Sequence, residues 1–218
     1  MEKQTFKQHF VFDLDDTLVD GRQFCGETMA RAITQLAPDV NFDLIVKIHD
    51  SIRGMIIEDL YRTTLKEINR DLDVQKLLDL DKQIQKENID KMKIFEGVVN
   101  IFEFLKSNGK QLHICTNRYK ELMIPILEAN GILGYFDTVI SCIDEGYKKP
   151  NPKCLLDLIE KSGSSKEEFI YFGDSEVDSE FAQNADIDFI IFDQYLNRKN
   201  LFKNLINMFL ENKMNGHA

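Results

Sequence analysis

Two kinds of hydrophobic patterning divide the chain. The first apolar run, His9 to Phe12, is short and β-prone, as a buried strand would be. From about Gly21 to Met92 apolar positions recur at helical spacing only. Met29, Ile33, Leu36 and Ala37 share one helical face; Ile57, Leu60, Tyr61, Leu65 and Ile68 share another. Leu77, Leu78 and Ile84 predict a further helix, and Pro38-Asp39 and Gly54 punctuate the segment. From Phe95 the pattern changes to strands and helices in alternation. Val98, Ile101, Phe102 and Leu105 form a helix face closed by Asn108-Gly109. Short apolar runs predict strands at Gln111–Cys115, Thr138–Cys142, Phe169–Phe172 and Phe189–Phe192. Helices are predicted within Tyr119–Asn130 and at Lys153–Lys161, Val177–Ala185 and Asn200–Leu210. Pro125 predicts a kink in the first of these, or a regular part that begins near Ile124, because proline lacks the N–H a helix needs.

Strands alternating with helices imply an α/β fold, with a Rossmann-like parallel sheet covered on both faces and right-handed crossovers. The strandless stretch reads as an insertion. Residues 1–20 and 93–218 are therefore assigned to the α/β core and residues 21–92 to an inserted helical domain, a division that a 218-residue chain can support. Gly21, at one crossing between the two, is placed to absorb backbone change.

Composition narrows the classes of partner. The formal net charge is −10 without any compensating Lys/Arg cluster, which disfavours nucleic acid or an anionic membrane as the main partner. No run of about 18 apolar residues and no apolar leader appears, so a cytoplasmic protein is expected. Cys25, Cys115, Cys142 and Cys154 form no C-x-x-C pair and read as reduced thiols filling core space. Four scattered histidines do not suggest a zinc site. His9 and His113 fall inside strand patterns and are expected in the core, and His49 is expected to be structural.

The candidate chemistry sits where strands end. The opening strand runs into Asp13, Asp15, Asp16 and Thr17. In an extended chain residues two apart point to one side, so Asp13 and Asp15 share a face and repel unless a cation offsets them. Oxygen ligands of this kind suit a small hard cation such as Mg²⁺. The strand at Gln111–Cys115 runs into Thr116-Asn117, and the strand at Phe169–Phe172 into Gly173, Asp174 and Asp178. Ligands of open parallel sheets bind at such strand ends, so Asp13, Asp15, Thr116, Asn117, Asp174 and Asp178 are expected to converge. The proline-stiffened loop Gly146 to Pro152 offers a mount for a lysine, Lys148 or Lys149. An aspartate nucleophile, a second carboxylate for proton transfer, a hydroxyl, a lysine and Mg²⁺ together make phosphoryl-transfer chemistry.

Four motifs, F-D-L-D-D-T-L-V-D, I-C-T-N, K-K-P-N-P and G-D-S-E-V-D, occur in this order and in these strand or loop contexts. Together they resemble the haloacid dehalogenase superfamily, in particular its phosphatases with a helical cap inserted after the first motif, of the phosphoglycolate phosphatase kind. The resemblance implies Asp13 as nucleophile and Asp15 as general acid and base. It implies Thr116 and Lys149 as phosphate holders, with Asn117 beside them. Lys149 is preferred to Lys148 because it directly precedes the proline. It also implies Mg²⁺ held by Asp13, Asp174 and the backbone carbonyl of Asp15, with Asp178 supporting the metal or the lysine. Asp15 argues against dehalogenation, which keeps no general acid at that place in the family. Two positions depart from the family's habit: Asp16 and Asp186 stand where glycine is usual. In the cap, Arg53-Gly54-Met55 resembles a loop that reaches the active site, and Arg53 and Gly54 are the candidates for substrate specificity; Arg22 is a further one.

The expected activity is Mg²⁺-dependent hydrolysis of a small phosphorylated metabolite through an aspartyl phosphate. A phosphomutase would use the same intermediate but needs cap groups that shuttle protons, and no His-Lys pair for that role is evident. A phospho-receiver carries its acceptor on a later strand and has no such insert. A silent binding protein would not need the complete set of acids. The sequence does not specify an oligomeric state.

Overall fold

The computed structural model describes residues 7–52 and 55–192. The opening apolar run forms β1 (His9–Phe12), buried along its length. Phe10 and Phe12 join the apolar cluster on one side of the sheet and Val11 joins the cluster on the other, as alternation along a strand requires. A strand covered on both faces is apolar at every position, hence a continuous run in the sequence.

Beyond the turn after β1, β2 (Val19–Asp20) leads into four helices: α1 (Arg22–Leu36), α2 (Phe42–Ser51), α3 (Ile57–Glu67) and α4 (Val74–Glu87). They bury a core of their own that includes Met29, Ile33, Ile45, Tyr61, Leu65 and Leu77. The periodicity did not single out α2 as a separate helix; its start is fixed by Asn41, whose side chain accepts from the Leu44 N–H at 2.9 Å. At Gly26 α1 comes close to α2: a Cβ there would lie 3.2 Å from Nδ1 of His49, which is buried. The chain returns through β3 (Lys93–Ile94), which pairs antiparallel with β2. This two-residue ladder is too short to leave a pattern in the sequence.

The alternating half follows as α5 (Val98–Ser107), β4 (Gln111–Thr116), α6 (Lys120–Ala129), β5 (Thr138–Ser141), α7 (Lys153–Ser162), β6 (Phe169–Gly173), α8 (Glu176–Asn184) and β7 (Asp188–Ile191). The sheet order is β5-β4-β1-β6-β7, every pairing parallel, so the fold is the expected α/β one with β1 at its centre. Phe12 stacks on Phe172 at 4.9 Å on one face, and Tyr171 meets Phe181 edge-on at 5.3 Å on the other. The α6 helix runs through Pro125 from Lys120 onwards and does not wait for Ile124. Buried Leu122, Met123, Ile126 and Leu127 hold it there, outweighing one missing backbone bond. His9 and His113 lie in the core as expected, with Nδ1 of one 3.1 Å from Nε2 of the other. Burial lowers the pKa of both, that of His113 to about 4. The predicted helix Asn200–Leu210 lies outside the described residues. No helix among the described residues is long and apolar enough to cross a membrane.

Candidate active site

Because β1 lies between β4 and β6, the ends of all three strands meet in one place. Phe12 pairs with Ile114 and Phe172, so Asp13 sits level with Cys115 and Gly173, and Thr116 and Asp174 follow one residue on. The Asp13 N–H donates to the Phe172 carbonyl at 2.8 Å, which carries the ladder one step past the strand.

Lys149 organises the acids around it. Its Nζ donates to Asp13 Oδ1 at 2.5 Å, Asp178 Oδ1 at 2.7 Å and the Tyr171 hydroxyl at 2.9 Å. An ammonium has three N–H donors and all three are used. Tyr171 in turn donates to the Cys115 carbonyl at 2.8 Å. The lysine side chain is only 3% exposed, a burial that two carboxylates make affordable. Burial alone would lower its pKa, but Asp13 and Asp178 outweigh that and keep it charged. Lys148, by contrast, is exposed. The backbone N–H of Lys149 donates to Asn117 Oδ1 at 2.9 Å, so Asn117 anchors the loop that carries the lysine.

Asp178 is held from its own helix. Ser175 and Asp178 form a capping box at the start of α8, and Asp178 Oδ2 accepts from the Ser175 hydroxyl at 2.6 Å. Burial pushes Asp178 up, but Lys149 and Ser175 outweigh it and hold the carboxyl below the usual range. Asp13 goes the other way: burial, only partly opposed by Lys149, raises it to about 7. Asp174 rises to about 8 through burial and then through the neighbouring Asp13 and Asp178. One lysine thus faces three crowded acids. Carboxylate oxygens of Asp13, Asp174 and Asp178 all lie within 4.8 Å of one another, an all-oxygen set that fits a hard divalent cation. The Asp15 carboxylate stands outside this set, so any contribution of Asp15 to a metal falls to its backbone carbonyl.

The Asp15 side chain instead faces Arg118, which belongs to none of the four motifs. Arg118 Nε donates to both Asp15 oxygens, at 3.0 and 2.8 Å, and Nη2 donates to Oδ1 at 2.8 Å. Burial would lower the arginine pKa, but Asp15 outweighs it and the group stays charged. The sequence signal was slight: an arginine two residues past a strand end reads as surface charge, and its partner is 103 residues away. Thr116 is buried beside it, and its Oγ1 accepts from the Arg118 N–H at 3.2 Å.

These groups line a cavity of about 260 Å³ between the core and the helical insert. Asp13, Asp15, Thr116, Asn117, Lys149 and Asp174 line it from the core side; Leu60, Leu78 and Gln85 do so from the insert. Arg22 lines it too, with Nε 3.9 Å from Asp50. Arg53 and Gly54 lie outside the described residues; the neighbouring Met55 and Ile56 face the cavity.

Residues 10–192 match the family model described as haloacid dehalogenase-like hydrolase. A phosphoglycolate phosphatase of Agrobacterium fabrum is 31% identical over 180 residues, covering 80% of this chain and 76% of its own. Among solved structures, a candidate phosphoglycolate phosphatase from Haemophilus somnus superposes with a TM-score of 0.72 at 22% identity, covering 88% of this chain and 85% of that one. A candidate β-phosphoglucomutase from Thermotoga maritima superposes with a TM-score of 0.66 at 21% identity, covering 83% and 82%. At those identities the two structures speak for the fold alone. The family match reaches every described strand of the sheet and includes all four motifs, and on that ground the chain belongs to the haloacid dehalogenase-like hydrolases.

Proposed function

We propose that the chain is a Mg²⁺-dependent phosphatase that hydrolyses a small phosphate monoester and carries the phosphoryl group on Asp13. The observation that supports this best is the Asp13 carboxylate itself: it directly follows the central strand, is gripped on one oxygen by Lys149 at 2.5 Å, and faces Asp174. The other Asp13 oxygen attacks phosphorus, the ester O–P bond breaks, and an aspartyl phosphate forms. Asp15 gives a proton to the departing oxygen and later takes one from the water that releases phosphate and restores Asp13. The Thr116 hydroxyl holds a phosphoryl oxygen, and Lys149, once one of its N–H groups is released from its present partner, holds another. A Mg²⁺ ion bound by Asp13, Asp174 and the Asp15 carbonyl would supply further neutralisation of phosphoryl charge. The helical insert, residues 21–92, closes the site as a cap and excludes bulk water.

A cavity of about 260 Å³ suits a metabolite of a few carbons rather than a polymer. Relatives named phosphoglycolate phosphatase make phosphoglycolate the first substrate to try, followed by sugar phosphates and nucleoside monophosphates. The test is inorganic phosphate release across that panel, with Mg²⁺ or excess EDTA, by the native chain and by Asp13→Asn. Mg²⁺-dependent release is expected, and Asp13→Asn is expected to lose several powers of ten in kcat, as removal of a nucleophile does. Full release in EDTA, or more than a few per cent of native kcat in Asp13→Asn, would overturn the assignment. Isomerisation of a sugar phosphate without phosphate release would identify a phosphomutase instead.

A further inference from the structure

Arg118 has no part in the chemistry above, yet its surroundings are built with care. The side chain is 7% exposed and lies where core and insert meet. Three of its hydrogen bonds go to Asp15. A fourth, from Nη1, goes to Gln85 Oε1 on α4 at 2.6 Å. Gln85 Nε2 donates to Asp81 Oδ1, and Asp81 Oδ2 accepts from the Tyr61 hydroxyl on α3 at 2.7 Å. Asp81, Gln85 and Tyr61 are all buried. A continuous chain of polar contacts thus runs from the end of β1, through one guanidinium, into the interior of the insert. Among the described residues Arg118 is the only hydrogen-bonding partner of the Asp15 carboxylate, and that side chain is otherwise 36% exposed. A planar fork bound to both oxygens fixes the plane of a carboxylate as well as its position, which a point charge does not.

We propose that Arg118 is a positioning residue: it holds Asp15 chiefly by Oδ1, so that Oδ2, with one hydrogen bond, carries the proton and is aimed at the leaving oxygen, and through Gln85 it ties that aim to the position of the insert. The inference rests on Asp15 being the proton donor of the reaction proposed above. Misalignment of a proton donor hurts most when the leaving group needs the proton. An alkoxide must be protonated as it departs, whereas p-nitrophenolate leaves as the anion.

The experiment compares kcat/KM, which reports aspartyl-phosphate formation, for an alkyl phosphate substrate and for p-nitrophenyl phosphate. Native chain, Asp15→Asn, Arg118→Lys and Gln85→Leu are measured in parallel. Asp15→Asn sets the scale, with a loss on the alkyl ester at least a hundredfold larger than on the aryl ester. Arg118→Lys keeps a cation but not the fork, and should lose at least tenfold more on the alkyl ester than on the aryl ester. Gln85→Leu should shift the same ratio by at least threefold, and decides the matter alone if Arg118→Lys does not fold. Equal losses on both esters, or none, in the Arg118 and Gln85 variants would overturn the inference while the Asp15 result stands. If Asp15→Asn shows no leaving-group preference, Asp15 is not the donor and both assignments fall together.

Discussion

Asp16 has a φ of 59° and Asp186 a φ of 56°, both in the left-handed region. These are the two positions at which the family resemblance leads one to expect glycine, and the backbone gives the reason: a side chain there is crowded against its own carbonyl. Aspartate is among the few residues that tolerate the conformation, through its short polar side chain. Asp16→Gly and Asp186→Gly should therefore each raise stability, by up to about 1 kcal/mol, since relief of left-handed strain exceeds the extra chain entropy of glycine. Urea unfolding checks this, and a destabilised Asp186→Gly would mean that its surface ion pair with Lys166 outweighs the strain. Single residues also mark the limits of reading this chain from its sequence. Lys149 could be preferred to Lys148 only by its place before proline, and the three bonds at its Nζ explain why one is buried and the other exposed. Arg118 could not be chosen at all. Nothing in its neighbours announces a carboxylate that arrives from the other end of the fold.

At the level of elements, the strands were legible because burial on both faces writes a continuous apolar run, and the polar residues at their ends followed from the way parallel sheets bind ligands. The β2–β3 ladder was not, because two residues carry no period. The start of α8 lies between these cases. Its S-x-x-D spacing is a capping signal, yet only the structure joins that cap to the active site, because one oxygen of Asp178 serves Ser175 and the other Lys149. Gly173, the last residue of β6, makes the junction possible. A Cβ at this position would lie 2.4 Å from both Cβ and Cγ of Asp178, closer than atoms can come. Gly173→Ala should push Asp178 away from Lys149 and loosen the helix start together. The expected cost is about 1–3 kcal/mol in stability and about a hundredfold in kcat, the scale of overpacking and of a misplaced positioning group. Chemical unfolding and steady-state kinetics measure the two. A variant with native kcat would show that the Asp178–Lys149 contact is dispensable.

On the scale of the whole molecule, insert and core are joined by an apolar seam, where Phe24, Cys25 and Ile89 pack against the cluster that includes Met92, and by a few polar contacts. Besides the β2–β3 ladder and the Arg118–Gln85 bond, Lys82 and Lys86 of α4 meet Glu121 of α6 at 2.6 and 2.8 Å. Hydrogen bonds from the two lysines hold the Glu121 carboxyl below its usual range, but the group is 42% exposed. Exposed pairs of this kind contribute at most about 1 kcal/mol and are screened within a Debye length of about 10 Å at 0.1 M salt. Polar contacts of this kind bias the orientation of the insert without locking it. Glu121→Gln should accordingly change global stability by less than about 1 kcal/mol, yet broaden the distribution of distances between labels placed on α3 and α5. Raising salt from about 10 mM to about 0.5 M should broaden the distribution for the native chain in the same way and add little in the variant, because both treatments remove one interaction. If the native distribution ignores salt and the variant's matches it, the ion pairs do not orient the insert, and that role falls to the apolar seam, the Arg118–Gln85 bond and the β2–β3 ladder.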